Sequence, residues 1–180
     1  TREPVRSATQ KAVALARTAG CLLSFDPNLR PPLWNSLEQA REQINWGLGQ
    51  CDIAKISDDE LLFLTGETDF DDGAARLIAQ FPNLQLVNVT AGAQGSISYY
   101  QGLRVFQPGL SLGGVIETTG AGDTFCACVL NFLLEHGLEH LTSQDLSQML
   151  RFANAAAYLV TTRRGAIRSM PEPEQILALL

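Results

Sequence analysis

Apolar residues recur at helical spacing from Pro4 to the stop at Gly20, and a short apolar run, "CLLSF", follows and breaks off at "DPNLRPP". The spacing predicts helix, strand, loop. The same order returns with "SLEQAREQINWGLG" as helix and "DIAKI" as a buried strand. "SDDELLFLTG" reads as a short helix closed by Gly66, "DFDDGAARLIAQF" as a further helix, and "LQLVNVT" as a strand entering the loop "AGAQG". "SISYY" and "LRVFQP" form a strand pair around the turn signal Gln101-Gly102. Three more helices follow: "DTFCACVLNFLLEHG", "SQDLSQMLRFANAAAYLVTTRRG" and "EPEQILALL".

Helices alternating with short strands that are apolar on both faces predict an α/β fold, a mostly parallel sheet with helices on either side in three layers. No repeat, low-complexity run or linker interrupts residues 1–180, so a single domain is expected. The chain opens on a helix with no earlier strand to start the sheet, so either the fold begins unusually or this is the C-terminal part of a longer protein. At 180 residues with 46% hydrophobic content it can bury one sizeable core. A net charge of -6 argues against nucleic acid, whose phosphates need a basic face. There is no apolar run of membrane-spanning length and no hydrophobic signal region in "TREPVRSATQ", so a cytoplasmic protein is expected, with no membrane partner. Cys21, Cys51, Cys126 and Cys128 form no C-x-x-C pair and sit among apolar residues, as buried free thiols do.

Candidate chemistry concentrates in "ETTGAGDTF", Glu117 to Phe125. In open α/β sheets ligands bind where loops lead from strand ends into helix N-termini. The first amides of the following helix lack intrahelical partners and can hold an anion. Gly120, Ala121 and Gly122 are small enough to let phosphate oxygens reach those amides. Asp123 falls in the first turn, where a carboxylate could accept a proton from a hydroxyl attacking a phosphoryl group. The helix dipole alone also favours an acid there. No Gly-Lys pair exists, which excludes a P-loop. Phe125 stands where a dinucleotide fingerprint needs its third glycine.

"ETTGAGDTF" closely resembles the C-terminal signature of the PfkB, or ribokinase-like, carbohydrate kinases. "SFDPNLRPPLW", "KISDDELLFLTG", "VTAGAQGS" and "FANAAAYLVTTRRGAIRSMP" agree with that family in order, most closely with bacterial fructokinases. The resemblance implies a ribokinase-like fold lacking its N-terminal portion and lid. It further implies ATP and Mg2+, a sugar substrate with fructose foremost, and a homodimer when full length. A 2-keto-3-deoxygluconate kinase, a kinase of another small molecule, and a non-catalytic nucleotide-binding fragment are the alternatives.

Carried over by position, Asp123 is the catalytic base and Gly120, Ala121 and Gly122 the anion hole. Thr90, Gly92 and Gly95 match the ATP-contacting "VTAGAQG" segment, although both glycines also suit an ordinary turn. Asn154 would border the adenine pocket, while close helix packing alone explains its alanine neighbours. Asn28 and Arg30 lie past a strand end on the ligand side, where the arginine either steers phosphates or fixes the turn at Pro31-Pro32. Glu60 matches the acid of an Asn-x-x-Glu motif that acts on magnesium through water. Here Ser57 replaces the asparagine, and Ser57-x-x-Glu60 also spells a capping box. A monovalent cation, K+, is implied at Glu117, Thr119, Val160, Arg163, Gly165 and Ser169, with Glu117 standing in place of the usual Asp. His136 and His140 have the spacing of helical metal ligands, but Gly137 interrupts the helix between them.

Overall fold

The structure, a computed structural model, describes residues 2–180. Two compact units divide the chain, Thr1–Val89 and Thr90–Leu180.

In the first unit, α1 (Val5–Thr18) leads to β1 (Ser24–Phe25), α2 (Leu37–Leu48), β2 (Ile53–Ser57), α3 (Asp58–Thr65), α4 (Phe70–Gln80) and β3 (Leu86–Thr90). The strand order is β1, β2, β3, and β1 pairs with β2 in parallel. The strand starts lie side by side: the Asp52 N–H donates to the Leu23 carbonyl at 2.8 Å and the Gln85 N–H to the Asp52 carbonyl at 2.8 Å. All three strands therefore run the same way. Strands β2 and β3 are buried at four successive positions each, the two-sided burial that a helix-covered parallel sheet requires. Their core is Ile53, Ala54 and Ile56 with Leu86, Val87 and Val89, packed with Ile44, Leu48, Leu61 and Leu77 from the helices.

Two expectations here need correction. "CLLSF" is a strand only at Ser24–Phe25, because β1 ends the strand order and Cys21 and Leu22 are solvent-exposed. The helix α1 has apolar residues at helical spacing yet buries none of its residues among those described.

In the second unit, β4 (Gly95–Tyr100) and β5 (Leu103–Pro108) form an antiparallel hairpin from Gly95↔Pro108 to Tyr100↔Leu103. Its turn is Gln101-Gly102, both with positive φ, 46° and 81°, matching the turn expected from sequence. At the other end of the hairpin Gly95 cannot be replaced. It has φ 116°, and a Cβ there would stand 2.1 Å from the Gln107 carbonyl oxygen. Helix α5 (Ala121–His136) packs against α6 (Ser143–Thr161), and α6 covers both hairpin strands. Their shared core holds Phe125, Val129, Leu133, Leu146, Met149, Leu150, Ala153 and Val160. The alanine run of α6 lets Ala155 and Ala156 meet Ile176 of α7 (Pro173–Leu177).

The α/β class expected from the sequence holds, with parallel strands in the first unit and an antiparallel pair in the second. The loop at Gly92–Gln94 winds into one 3-10 turn. Helix α5 stops at Gly137, and the His136 ring stacks on Phe132 with centroids 4.0 Å apart. No group of three or more metal-ligating side chains forms among the described residues. No helix among them is long and apolar enough to cross a membrane.

None of the four cysteines forms a disulfide, but not all are buried. Cys21 is exposed, Cys51 buried, Cys126 and Cys128 half-buried. Burial pushes the Cys51 thiol up to about 12, with the Asp52 carboxylate adding to the rise, and the Cys128 thiol up to about 11. Thiolate is the reactive form, so these two groups carry almost none of it at neutral pH. Alkylation of the native chain at pH 8, read by peptide mass spectrometry, is expected to mark Cys21 and to spare Cys51 and Cys128 until denaturant is added.

Candidate active site

The second unit folds "TTGAGD" into the entrance of α5. Gly120 is the N-cap with φ 84°, a left-handed turn that glycine adopts without steric cost. A Cβ there would lie 3.3 Å from Ala166, so the turn also needs the space. The first intrahelical bond runs from the Thr124 N–H to the Gly120 carbonyl at 2.9 Å. The Ala121 amide is already taken, donating to the Thr118 carbonyl at 3.2 Å. The amides of Gly122 and Asp123 come before the first intrahelical bond and have no acceptor within the helix. The Asp123 side chain is exposed.

Beside this helix start lies a cavity of about 270 Å³. Ala121, Gly122 and Phe125 of α5 form one side, and Asn154, Ala157, Tyr158 and Thr161 of α6 another. Thr90, Gly92 and Gly95, with Leu110, Ser111 and Val115, complete the wall. The lining is mostly apolar, as expected of a site that holds a flat organic ring. The fold thus gathers Gly120 to Gly122, Thr90, Gly92, Gly95 and Asn154, which lie far apart in sequence. Phe125 and Tyr158 escaped the sequence reading. Tyr158 was findable, since it lies four residues after Asn154 on one helix face.

Asn154 is buried and fully engaged. Its Oδ1 accepts from the Ser96 hydroxyl at 2.9 Å, and its Nδ2 donates to the Gln107 and Pro108 carbonyls at 3.1 and 3.2 Å. It borders the cavity while clamping the open end of the hairpin to α6.

A late loop follows α6. The Glu117 carboxylate reaches it, with Oε1 accepting the Gly165 N–H at 2.5 Å. The Ile116 and Glu117 amides both donate to the Thr161 carbonyl, at 2.8 and 3.2 Å. The Gly165 carbonyl accepts the Ser169 hydroxyl, and the Val160 carbonyl accepts the Arg163 N–H at 3.2 Å. Of the positions expected to surround a cation, Glu117, Gly165 and Ser169 are joined by these bonds, and Val160 by its bond to Arg163. Thr119 is exposed.

The first unit carries the other candidates. Glu60 is buried at 6% exposure, and both of its carboxylate oxygens accept backbone amides. Oε2 takes the Ser57 N–H at 2.8 Å and Oε1 the Leu29 N–H at 2.7 Å. The Ser57 hydroxyl in turn accepts the Glu60 N–H at 3.2 Å, completing the capping box. Glu60 therefore does more than cap α3: it ties the loop of Asn28 and Arg30 to the end of β2. Asn28 has φ 45°, and its amide donates to Asp26 Oδ1 at 3.1 Å. Both Asn28 and Arg30 are exposed, and Arg30 donates to the Leu29 carbonyl at 3.0 Å. Asp26 pairs with Lys55 at 3.3 Å. Burial raises its carboxyl above the usual range, the Lys55 charge opposes the rise, and Glu60 adds to it.

Residues 3–173 match the pfkB family of carbohydrate kinases. The chain is 42% identical over 178 residues to the probable fructokinase-2 of Arabidopsis thaliana, covering 99% of this chain and 54% of that protein. Among solved structures it is similar to a fructokinase double mutant of Vibrio cholerae O395 in its fructose, ADP and potassium ion bound form. The TM-score is 0.87 at 31% identity, over 99% of this chain and 56% of that one. It is also similar to the aminoimidazole riboside kinase of Salmonella enterica complexed with aminoimidazole riboside and an ATP analog, at TM-score 0.85 and 28% identity, covering 58% of that chain. The chain spans about half the length of each of these three proteins.

Asn154→Ala would strand the buried Ser96 hydroxyl and unpair two part-buried carbonyls. It is expected to cost about 2 kcal/mol in urea denaturation, the scale set by one unpaired buried polar group.

Proposed function

Since this chain belongs to the pfkB family of carbohydrate kinases, we propose that it is the nucleotide-binding, catalytic part of a kinase that transfers the γ-phosphoryl group of Mg2+–ATP to a sugar hydroxyl, with fructose becoming fructose 6-phosphate. One observation carries the reading. An exposed acid, Asp123, follows directly on Ala121 and Gly122, which line a mostly apolar cavity at the start of α5. The fructose, ADP and potassium in the similar Vibrio cholerae structure, and the fructokinase name of the Arabidopsis relative, support fructose as the acceptor.

In this reading Asp123 takes the proton of the attacking hydroxyl as its oxygen bonds to phosphorus, and the bond to the ADP oxygen breaks. The amides of Gly122 and Asp123, on the Gly120–Ala121–Gly122 turn, face the charge on the transferring group. They are held rigid because Phe125 and Val129 root α5 in the core. The adenine occupies the cavity beside Asn154, with Thr90, Gly92 and Gly95 toward the phosphates. In the first unit, Asn28 and Arg30 are the proposed phosphate contacts of their own loop.

Metal binding by the protein itself is limited. Mg2+ arrives with ATP as part of the substrate, in keeping with its preference for phosphate oxygens and water. Glu60 would act on it only through water, because both carboxylate oxygens already accept amides. K+ would sit in the late loop against the Glu117 carboxylate, with oxygens of Thr119, Val160, Arg163, Gly165 and Ser169. The Gly165 and Val160 oxygens would then be shared with bonds they already make.

The half-length match to the relatives favours a second reading, a nucleotide-binding fragment without turnover. Calorimetric titration of ATP and of fructose separetely distinguishes the two, since the fragment binds the nucleotide alone. In an ADP-release assay against a panel of sugars, Asp123→Asn is expected to lower turnover about 10²- to 10⁴-fold, the range for loss of a general base, with ATP affinity unchanged. Full activity in that variant would remove Asp123 from the mechanism.

A further inference from the structure

Strand β2 holds a lysine where its neighbours are wholly apolar. Lys55 is 8% exposed between Ala54 and Ile56, both at 0%. An ammonium taken out of water destabilises the fold unless it is paired and hydrogen-bonded. Its Nζ lies 3.3 Å from Asp26 Oδ2 and 3.4 Å from Oδ1, close to both oxygens of one carboxylate. That carboxylate also holds the Asn28 amide through Oδ1. The next amide, Leu29, is held by Glu60, which is itself anchored to Ser57 at the end of β2. Two consecutive loop amides are thus held by two acids, each fixed in turn by β2. The exposed Asn28 and Arg30 side chains project from this doubly held backbone, with Asn28 in the left-handed conformation.

We propose that Lys55 is a positioning residue: through Asp26 it fixes the backbone of residues 26–30 and so holds Arg30 in the pose that takes phosphate. The second half of this statement rests on the phosphate role proposed above for Arg30. The first half stands on the geometry of the loop alone. A lysine placed only to fill space in β2 would need no carboxylate, and an apolar side chain would fill the site without a desolvation cost.

The test joins two readouts. Amide hydrogen exchange at Asn28 and Leu29 reports the loop directly, and calorimetry with Mg2+–ATP reports its consequence. Lys55→Met keeps the length of the side chain and removes the charge. It is expected to speed exchange at both amides and to weaken ATP about tenfold or more, the worth of a charge-assisted hydrogen bond. Arg30→Ala is expected to weaken ATP similarly, and Lys55→Met with Arg30→Ala to be no weaker than the weaker single variant, because both remove one interaction. Where Lys55→Met does not fold, Lys55→Met with Asp26→Asn leaves no unpaired buried charge and is expected to give the same faster exchange. Unchanged exchange in either folded variant overturns the positioning role, as do additive losses in the Lys55→Met and Arg30→Ala pair. If the unaltered chain binds no ATP, the phosphate role of Arg30 falls, while the exchange measurement still decides whether Lys55 holds the loop.

Discussion

An α-helix cannot satisfy its own first amides, and the site in the second unit depends on where α5 leaves them. The left-handed turn at Gly120 brings the chain into the helix so abruptly that only Ala121 finds a nearby carbonyl, that of Thr118. The next two amides are left without helical acceptors beside a cavity. Water or an anion must satisfy them, and an anion gains from the helix dipole as well. Phe125, one turn into α5, is 2% exposed, so the helix start cannot shift without disturbing the core. A burial constraint and a hydrogen-bonding constraint thus act on the same few residues.

Polar side chains do the remaining positioning, each by satisfying backbone groups from distant parts of the chain. Asn154 collects a hydroxyl and two carbonyls at the open end of the β4–β5 hairpin. Glu60 collects two amides, one from its own cap and one from the loop past β1. Glu117 reaches forward to the amide of Gly165. Asn154 and Glu60 make the loops they hold as well defined as regular elements, because releasing either loop would strand a buried polar group. Residues that a functional reading treats as ligand contacts are therefore also fasteners.

How far these features could be read beforehand follows from the range of the interaction responsible. Helix starts and stops such as Ser57–Glu60, Gly66 and Gly137 depend on neighbours within four residues and were legible. So was the Gln101-Gly102 turn, since positive φ is a local demand. The extent of β1 was not legible, because an apolar run says nothing about how many neighbouring strands it meets. The exposure of Cys21 escaped for the same reason. The pairing of Lys55 was not legible either, because its partner Asp26 lies 29 residues away and only folding joins them.

The sequence by itself determined the alternation of elements, the glycine turn ahead of Asp123 and the family resemblance, because periodicity, capping and backbone permissiveness are properties of short stretches. Tertiary structure decided that Thr90, Gly92 and Asn154 border one cavity, and that Glu60 and Lys55 both act on a single loop. Those outcomes depend on buried polar atoms finding partners tens of residues away, and no local pattern in the chain encodes which partners they meet.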